Sequence, residues 1–149
     1  MKKVFAAALC TFVLTTVLTT LSVASDVAVP QMPRTLANAR FVYVTAYDGD
    51  QFNPSLLPDD RAAIARVQDA IGKWGKLTVV YRPQEADVIL AVQSRPSEDV
   101  MAVYDAHSGD WNSRPSQSIL WRVMGRGGLE KSETPLISEF ETAWNKIVK

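Results

Sequence analysis

The sequence predicts a two-layer α+β domain, in which two helices pack on one face of a mixed five-stranded sheet in the order β-α-β-β-β-β-α. Three observations support this prediction. Residues 40–48 alternate with the two-residue period of a strand. The stretches that follow Pro58 and Pro135 repeat apolar residues at helical spacing. Residues 100–124 contain two apolar runs around a polar segment, which is typical of two strands folded back on each other.

The first strand is predicted over 40–48, because β-branched and aromatic residues dominate it. A helix is expected from Pro58, where proline suits the first turn and Asp59 and Asp60 complement the positive end of the helix dipole. Gly75 is expected to cap its carboxyl end. The apolar stripe of this helix consists of Ile64, Val67, Ile71 and Trp74.

Two further strands are predicted over 77–81 and 87–93. A strand–helix–strand unit favours parallel pairing of the first two strands, and the later strands are connected tightly enough to run antiparallel. The last helix is expected to start at Thr134 and Pro135, as cap and first residue. Its apolar stripe consists of Leu136, Phe140, Trp144, Ile147 and Val148.

The hairpin over 100–124 is the part of the chain on which the other elements are expected to pack. The Asp105 side chain is predicted to accept a hydrogen bond from a backbone N–H two residues further on. One face of the hairpin should be fully covered and the other partly covered. The alternation places Val100, Ala102 and Tyr104 on one face of the first strand and Met101 and Val103 on the other, and in the return strand it separates Leu120 and Arg122 from Ile119, Trp121 and Val123.

Residues 110–118 within this hairpin are too polar and irregular to form a strand. A long insertion adds little loop entropy, so its length alone does not indicate a function. Trp111 is expected either to fold back onto the sheet or to contact a partner. The possible partner contacts in this loop are Trp111 and Arg114.

Residues 1–25 have the features of a secretory signal peptide: a basic start, an apolar middle and a small-residue exit. An uncleaved membrane anchor is the alternative, because residues 4–24 are long enough to span a bilayer. After cleavage no stable membrane span is expected. Residues 26–39 are interpreted as a linker and residues 40–149 as a single domain. The protein is therefore expected to be exported, to the periplasm or beyond the cell.

Composition excludes several classes of function. The single cysteine, Cys10, leaves with the leader, so the mature chain has no disulfide and no cysteine metal site. Lys2 and Lys3 leave with it, and 14 basic residues then face 16 acidic ones, a formal charge of −2. No basic stripe is present to neutralise a phosphate backbone, so nucleic acid is not an expected partner. No cofactor is expected.

The residues that carry chemistry are few. His107 is the only histidine, which excludes sites built on several imidazoles, and it is interpreted as a solvated turn residue. A hydrolase or carbohydrate-active enzyme that uses acidic residues near Asp48 and Asp105 is one alternative. A calcium-stabilised module is another. Its ligands would be Asp48, Asp50 and Asn53, with Asp59 and Asp60 close in sequence.

Arg122 and Arg126 are interpreted as charges at a sheet edge that discourage aggregation, with anion binding as the alternative. An exposed edge of a mixed sheet offers unpaired backbone groups. Such an edge is able to pair with a second copy of the chain or with an extended peptide.

Three short patterns occur in order: Glu85-Ala-Asp-Val-Ile-Leu90, Val103-Tyr-Asp-Ala-His-Ser-Gly109 and Leu120-Trp121, followed by a closing helix. Together they resemble a group of small exported bacterial proteins of unknown function. The layout is more distantly similar to the amino-terminal domain of TolB and to the periplasmic domain of the curli-secretion lipoprotein. The resemblance implies an accessory module of the cell envelope and supplies no catalytic residue. The expected function is therefore a non-enzymatic, exported module whose partner is another envelope protein.

Overall fold

A computed structural model describes residues 31–48, 52–108, 118–130 and 135–148. It confirms the predicted α+β class and the predicted order of elements. Short 3₁₀ turns occupy Arg34–Asn38, Pro83–Glu85 and Ala106–Ser108. The strands are β1 (Phe41–Ala46), β2 (Thr78–Val80), β3 (Val88–Gln93), β4 (Asp99–Asp105) and β5 (Ile119–Gly125), and the helices are α1 (Pro58–Trp74) and α2 (Pro135–Ile147).

The five strands form one sheet in the order β2-β1-β3-β4-β5. The predicted parallel pairing of β1 with β2 is confirmed, and β4 runs antiparallel to both β3 and β5. The prediction that all later strands run antiparallel is wrong for β3, which lies parallel to β1. The reason is the shortness of β2. The last residue of β2, Val80, pairs with Tyr43 of β1, and the first residue of β3 pairs with the adjacent Val42. The end of β2 and the start of β3 therefore lie at the same level of β1, and residues 81–87 are enough to cross it.

Both helices pack on the same face of the sheet, which we call the helix side and which includes Val44, Leu90, Val103 and Trp121. The predicted apolar stripes are confirmed except at Val148, which follows the end of α2 and is 48% exposed. The contributors from α1 and α2 include Ile64, Val67, Ile71, Leu136, Phe140 and Trp144, with Trp74 and Ile147 partly buried against them.

Four aromatic rings join α1, α2 and β5 within this core. The Phe140 ring centroid lies 5.9 Å from that of Trp74 and 6.1 Å from that of Trp121, in edge-on geometry. The rings of Phe140 and Trp144 are 5.6 Å apart. Phe140 is fully buried and therefore holds both helices to β5.

The opposite face, here called the far side, is buried at its centre. Tyr43, Ile89 and Ala102 have no exposed surface, and Tyr104 is 1% exposed. These residues form a second apolar cluster with Ala86 and Ala91. Arg122 and Met124 of β5 lie on the same side and are exposed, so the predicted partial cover of one face is confirmed.

A bulge in β5 changes which side two residues face. Trp121 pairs with Val103, whereas Ile119 pairs with the next residue of β4, Tyr104. Leu120 is therefore an extra residue in the ladder. It packs against the helix-side core while Ile119 packs on the far side, which reverses the predicted sides of both.

Part of the predicted linker, 26–39, packs on the domain. Met32 and Leu36 are each 5% exposed and belong to the helix-side core. Residues 26–30 lie outside the described ranges.

The carboxyl end of α1 is closed by Gly75. This residue adopts φ 72° and its N–H donates to the Ile71 carbonyl at 3.0 Å, which confirms the predicted glycine cap.

Phe140→Ala is expected to lower the free energy of unfolding by about 3–5 kcal/mol, because it removes a buried ring that contacts both helices and β5. Glu139→Ala, one residue away and exposed, is the control and should change the free energy by less than about 0.5 kcal/mol. Urea unfolding measures both. Equal effects of the two substitutions would contradict the packing described.

A second prediction concerns two glycines in contrasting surroundings. A Cβ at Gly128 would overlap Leu136 Cγ and lie 2.8 Å from Leu136 Cδ1, whereas a Cβ at Gly72 would meet nothing within 4 Å. Gly128→Ala should therefore destabilise the domain by about 1–3 kcal/mol through overpacking against α2. Gly72→Ala, in the exposed interior of α1, should stabilise it by about 0.5–1 kcal/mol. Thermal melts of both variants test this, and shifts of the same sign would contradict it.

Candidate functional site

The two aspartates of the hydrolase alternative lie at opposite ends of the sheet. Asp105 ends β4 and pairs with Val88 at the start of β3. Asp48 follows the end of β1, beyond Ala46, which pairs with Val92. At about 3.3 Å per residue, Asp48 and Asp105 are about 20 Å apart along the strands. Paired catalytic carboxylates need about 5–10 Å, so these two residues do not share a site.

Asp105 instead lines a pocket of about 230 Å³ at the end of the sheet where β1 and β3 begin. The pocket brings Asp105 and His107 together with Asp87, to which the sequence pattern assigned no chemical role. Its lining consists of Thr35, Leu36, Asn38, Ala39, Asp87, Asp105 and His107.

In this pocket the Asp105 carboxylate shapes the turn that follows β4. Its Oδ1 accepts a hydrogen bond from the His107 backbone N–H at 2.9 Å, as predicted, and the Ser108 hydroxyl donates to the Asp105 carbonyl at 2.9 Å. His107 Nδ1 lies 3.4 Å from the same carboxylate oxygen, but the His107 side chain is 73% exposed. The imidazole therefore projects into solvent, which agrees with its interpretation as a turn residue.

Asp87 anchors the start of β1. Its Oδ2 accepts hydrogen bonds from the backbone N–H groups of Arg40 at 2.8 Å and Phe41 at 3.0 Å. The Arg40 N–H is the largest cause of a lowered Asp87 pKa, and it outweighs the opposing effect of burial, with further lowering by the Phe41 N–H and by the charges of His107 and Arg40. A carboxyl group stabilised as its anion is poorly suited to act as a general acid.

Two aspartates of the calcium alternative, Asp48 and Asp60, form ion pairs with Arg95. Asp60 is 2% exposed and accepts from the Ser94 backbone N–H at 2.9 Å and from Arg95 Nη1 at 2.6 Å. Asp48 Oδ2 lies 3.2 Å from Arg95 Nη2 and also accepts from the Gln93 amide. Hydrogen bonding to Asp60 raises the pKa of Arg95. Arg95 thus occupies the position between Asp48 and Asp60.

The other residues of that alternative are not brought together with this pair. Asn53 Oδ1 accepts from the Ser55 backbone N–H at 2.9 Å, which is a local turn. Asp59 is exposed in the first turn of α1, and Asp50 lies outside the described residues. Within the described ranges, no group of three or more His, Cys, Asp or Glu side chains is arranged to hold a metal ion.

The outer edge of β5 is a different kind of candidate site. β5 pairs with β4 on one side, and no strand in the described part of the chain pairs with its other side. Met124 is 42% exposed, and Arg122 is exposed with Nη2 2.8 Å from the Met124 sulfur. Unpaired backbone N–H and C=O groups of such an edge are able to accept another strand.

Arg122 points to the far side, next to Tyr104. The charge of Arg122 lowers the Tyr104 pKa, but burial raises it more and Tyr47 raises it further, so the net shift is upward. The Tyr104 hydroxyl is buried near Tyr47 without forming a hydrogen bond of ordinary geometry to any described residue. Arg122 forms no salt bridge within the described ranges.

The predicted partner contacts Trp111 and Arg114 lie outside the described residues. No helix within the described ranges is long and apolar enough to cross a bilayer.

Comparisons with known proteins give no family for the chain. No family model matches it, and no curated protein matches its sequence. Two solved structures of PelC dodecamers from Paraburkholderia phytofirmans are similar. One, a Leu-to-Met variant in space group C2, is 16% identical over 80% of this chain and 88% of that chain, with a TM-score of 0.38. The other, in space group P6, is 14% identical over 79% and 88%, with a TM-score of 0.37. Both scores are too low to establish a shared fold.

Asp87→Asn is expected to lower the free energy of unfolding at pH 7 by about 0.5–1.5 kcal/mol, because a neutral amide oxygen accepts hydrogen bonds more weakly than a carboxylate. Because the Asp87 pKa is lowered on folding, its contribution is present above the unfolded value near 3.9 and is lost as pH falls through the lower folded value. The difference between wild type and variant should therefore shrink below about pH 4. Asp69→Asn, at an exposed ion pair with Lys73, is the control. A difference that stays constant from pH 7 to pH 2 would contradict the assigned cause.

Proposed function

We propose that this protein is an exported, non-enzymatic module of the cell envelope that binds another protein by adding an extended segment of that protein to the outer edge of β5. The leader over residues 1–25 supports export. The observation that carries the binding proposal is the edge itself: a seven-residue strand with one side unpaired in the described part of the chain.

β5 is better suited to strand addition than the other edge of the sheet. β2 has three residues, and a short edge strand limits pairing with other chains. β5 has seven, enough for a ladder of several backbone hydrogen bonds with a bound segment. Backbone bonds would supply affinity, and side chains at alternate positions would supply selectivity.

The surroundings of β5 hold the strand in place for this role. Phe140 of α2 packs on Trp121, and Leu120 and Val123 of β5 pack against the same core. On the other side of the sheet, Arg122 and Met124 are exposed and lie opposite Ala102 and Val100 of β4. A bound segment would therefore meet a rigid backbone with two exposed side chains.

Photo-crosslinking in cells tests the proposal directly. A benzoylphenylalanine placed at Met124, in the full chain produced in a bacterial host that exports it, should yield an adduct with another envelope protein on irradiation. The same group at Tyr81, which is 64% exposed and follows β2 at the opposite edge, is the matched control and should not yield that adduct.

Mass spectrometry of the adduct identifies the protein and the segment joined to position 124. A single segment, captured from 124 and not from 81, supports strand addition at β5. Absence of any adduct at 124, or the same adducts from both positions, would overturn the proposal.

A further inference from the structure

The charge on β5 indicates the chemistry of the segment that this edge receives. Arg122 is the fourth of the seven residues of β5 and is exposed. A residue directly opposite it on an added strand would have its Cβ about 4.5–5.5 Å away. Such a residue is close enough to bond the guanidinium.

No residue in the same row of the sheet provides a counter-charge for Arg122. The row passes inward through Ala102 of β4, Ala91 of β3 and Thr45 of β1. Ala102 beside Arg122 and Ala91 one strand further leave its guanidinium without a carboxylate in this row. Arg122 also takes part in no salt bridge within the described ranges. Within those ranges its one side-chain hydrogen bond is donated to the Met124 sulfur.

A second copy of this chain does not supply the missing charge through its own sheet edges. β5 reads Ile-Leu-Trp-Arg-Val-Met-Gly and contains no acidic residue, so no register of β5 against β5 places a carboxylate opposite Arg122. The symmetric register centred on Arg122 places two arginines opposite each other, which is destabilising. β2, Thr-Val-Val, has no acidic residue either.

We infer that the segment bound along β5 belongs to a different protein and carries an aspartate or glutamate opposite Arg122. This inference rests on the proposed function. A guanidinium on a carboxylate forms a charge-assisted hydrogen bond with defined geometry. Arg122 then selects the register of the segment, because a shift by one residue moves the carboxylate to the other side of the sheet.

The test uses the Met124 crosslinker in three backgrounds. Arg122→Glu should lower the yield of the adduct about fivefold, because it places a negative charge directly opposite the acidic residue of the bound strand. Arg122→Lys keeps the positive charge and should retain most of the yield. Arg126→Glu is the matched control, because Arg126 is exposed and lies just beyond β5, and it should leave the yield unchanged. Circular dichroism of each variant confirms folding.

The captured segment gives the second readout. It should contain an acidic residue within two positions of the crosslinked residue. A synthetic copy of that segment should bind the wild-type domain about two- to fivefold more tightly than its amide variant, and a copy with lysine at that position should prefer the Arg122→Glu domain.

The outcomes separate the inference from the function on which it rests. An adduct that forms equally in all backgrounds, on a segment without an acidic residue, overturns the charge selection and leaves strand addition standing. An adduct with a second copy of this chain overturns the assignment to a different protein. No adduct at position 124 in the wild-type chain overturns both.

Discussion

The packing of Phe140 against three other aromatic rings is the interaction on which the rest of the structure depends. Its ring lies 5.6–6.1 Å from those of Trp144, Trp74 and Trp121. These contacts join the end of α1, the middle of α2 and β5 on the helix side of the sheet. The sequence has a single cysteine, so no disulfide within the chain replaces them, and burial of this cluster keeps both helices on one face and leaves the edge strand fixed.

Three carboxylates in the described part of this domain, two of them buried, hold backbone segments together. Asp60 bonds the Ser94 N–H, and Asp87 bonds the start of β1. Asp99, 1% exposed, accepts from the Leu129 N–H at 2.7 Å and the Arg95 N–H at 3.1 Å. Buried carboxylates are stable only when hydrogen-bonded in this way. Arg122 differs from them, since it is exposed and has no acidic partner in the described ranges, and its charge is therefore free to meet the proposed partner.

The sequence predicted the elements and the core better than it predicted the sites. The helical stripe with Phe140 and the cap at Gly75 follow from local periodicity and turn chemistry, and both are observed. The prediction of which side of the sheet Ile119 and Leu120 face was wrong, because the bulge depends on how β5 pairs with β4. No local sequence pattern reveals that pairing. The pocket with Asp87 was missed for a similar reason. Asp87 and Asp105 meet only through the register of β3 with β4, and register is set by the whole sheet.

Amide hydrogen exchange along β5, measured residue by residue on the isolated mature protein, tests the open edge most directly. Amides that donate to β4 should exchange slowly, and those between them, which face outward, should exchange quickly, because only the first set is protected by hydrogen bonds. The alternation should hold from Trp121 to Met124, beyond the bulge. Uniformly slow exchange through these residues in the absence of a partner would show that the outer edge is already paired, and would contradict its proposed role as a binding site.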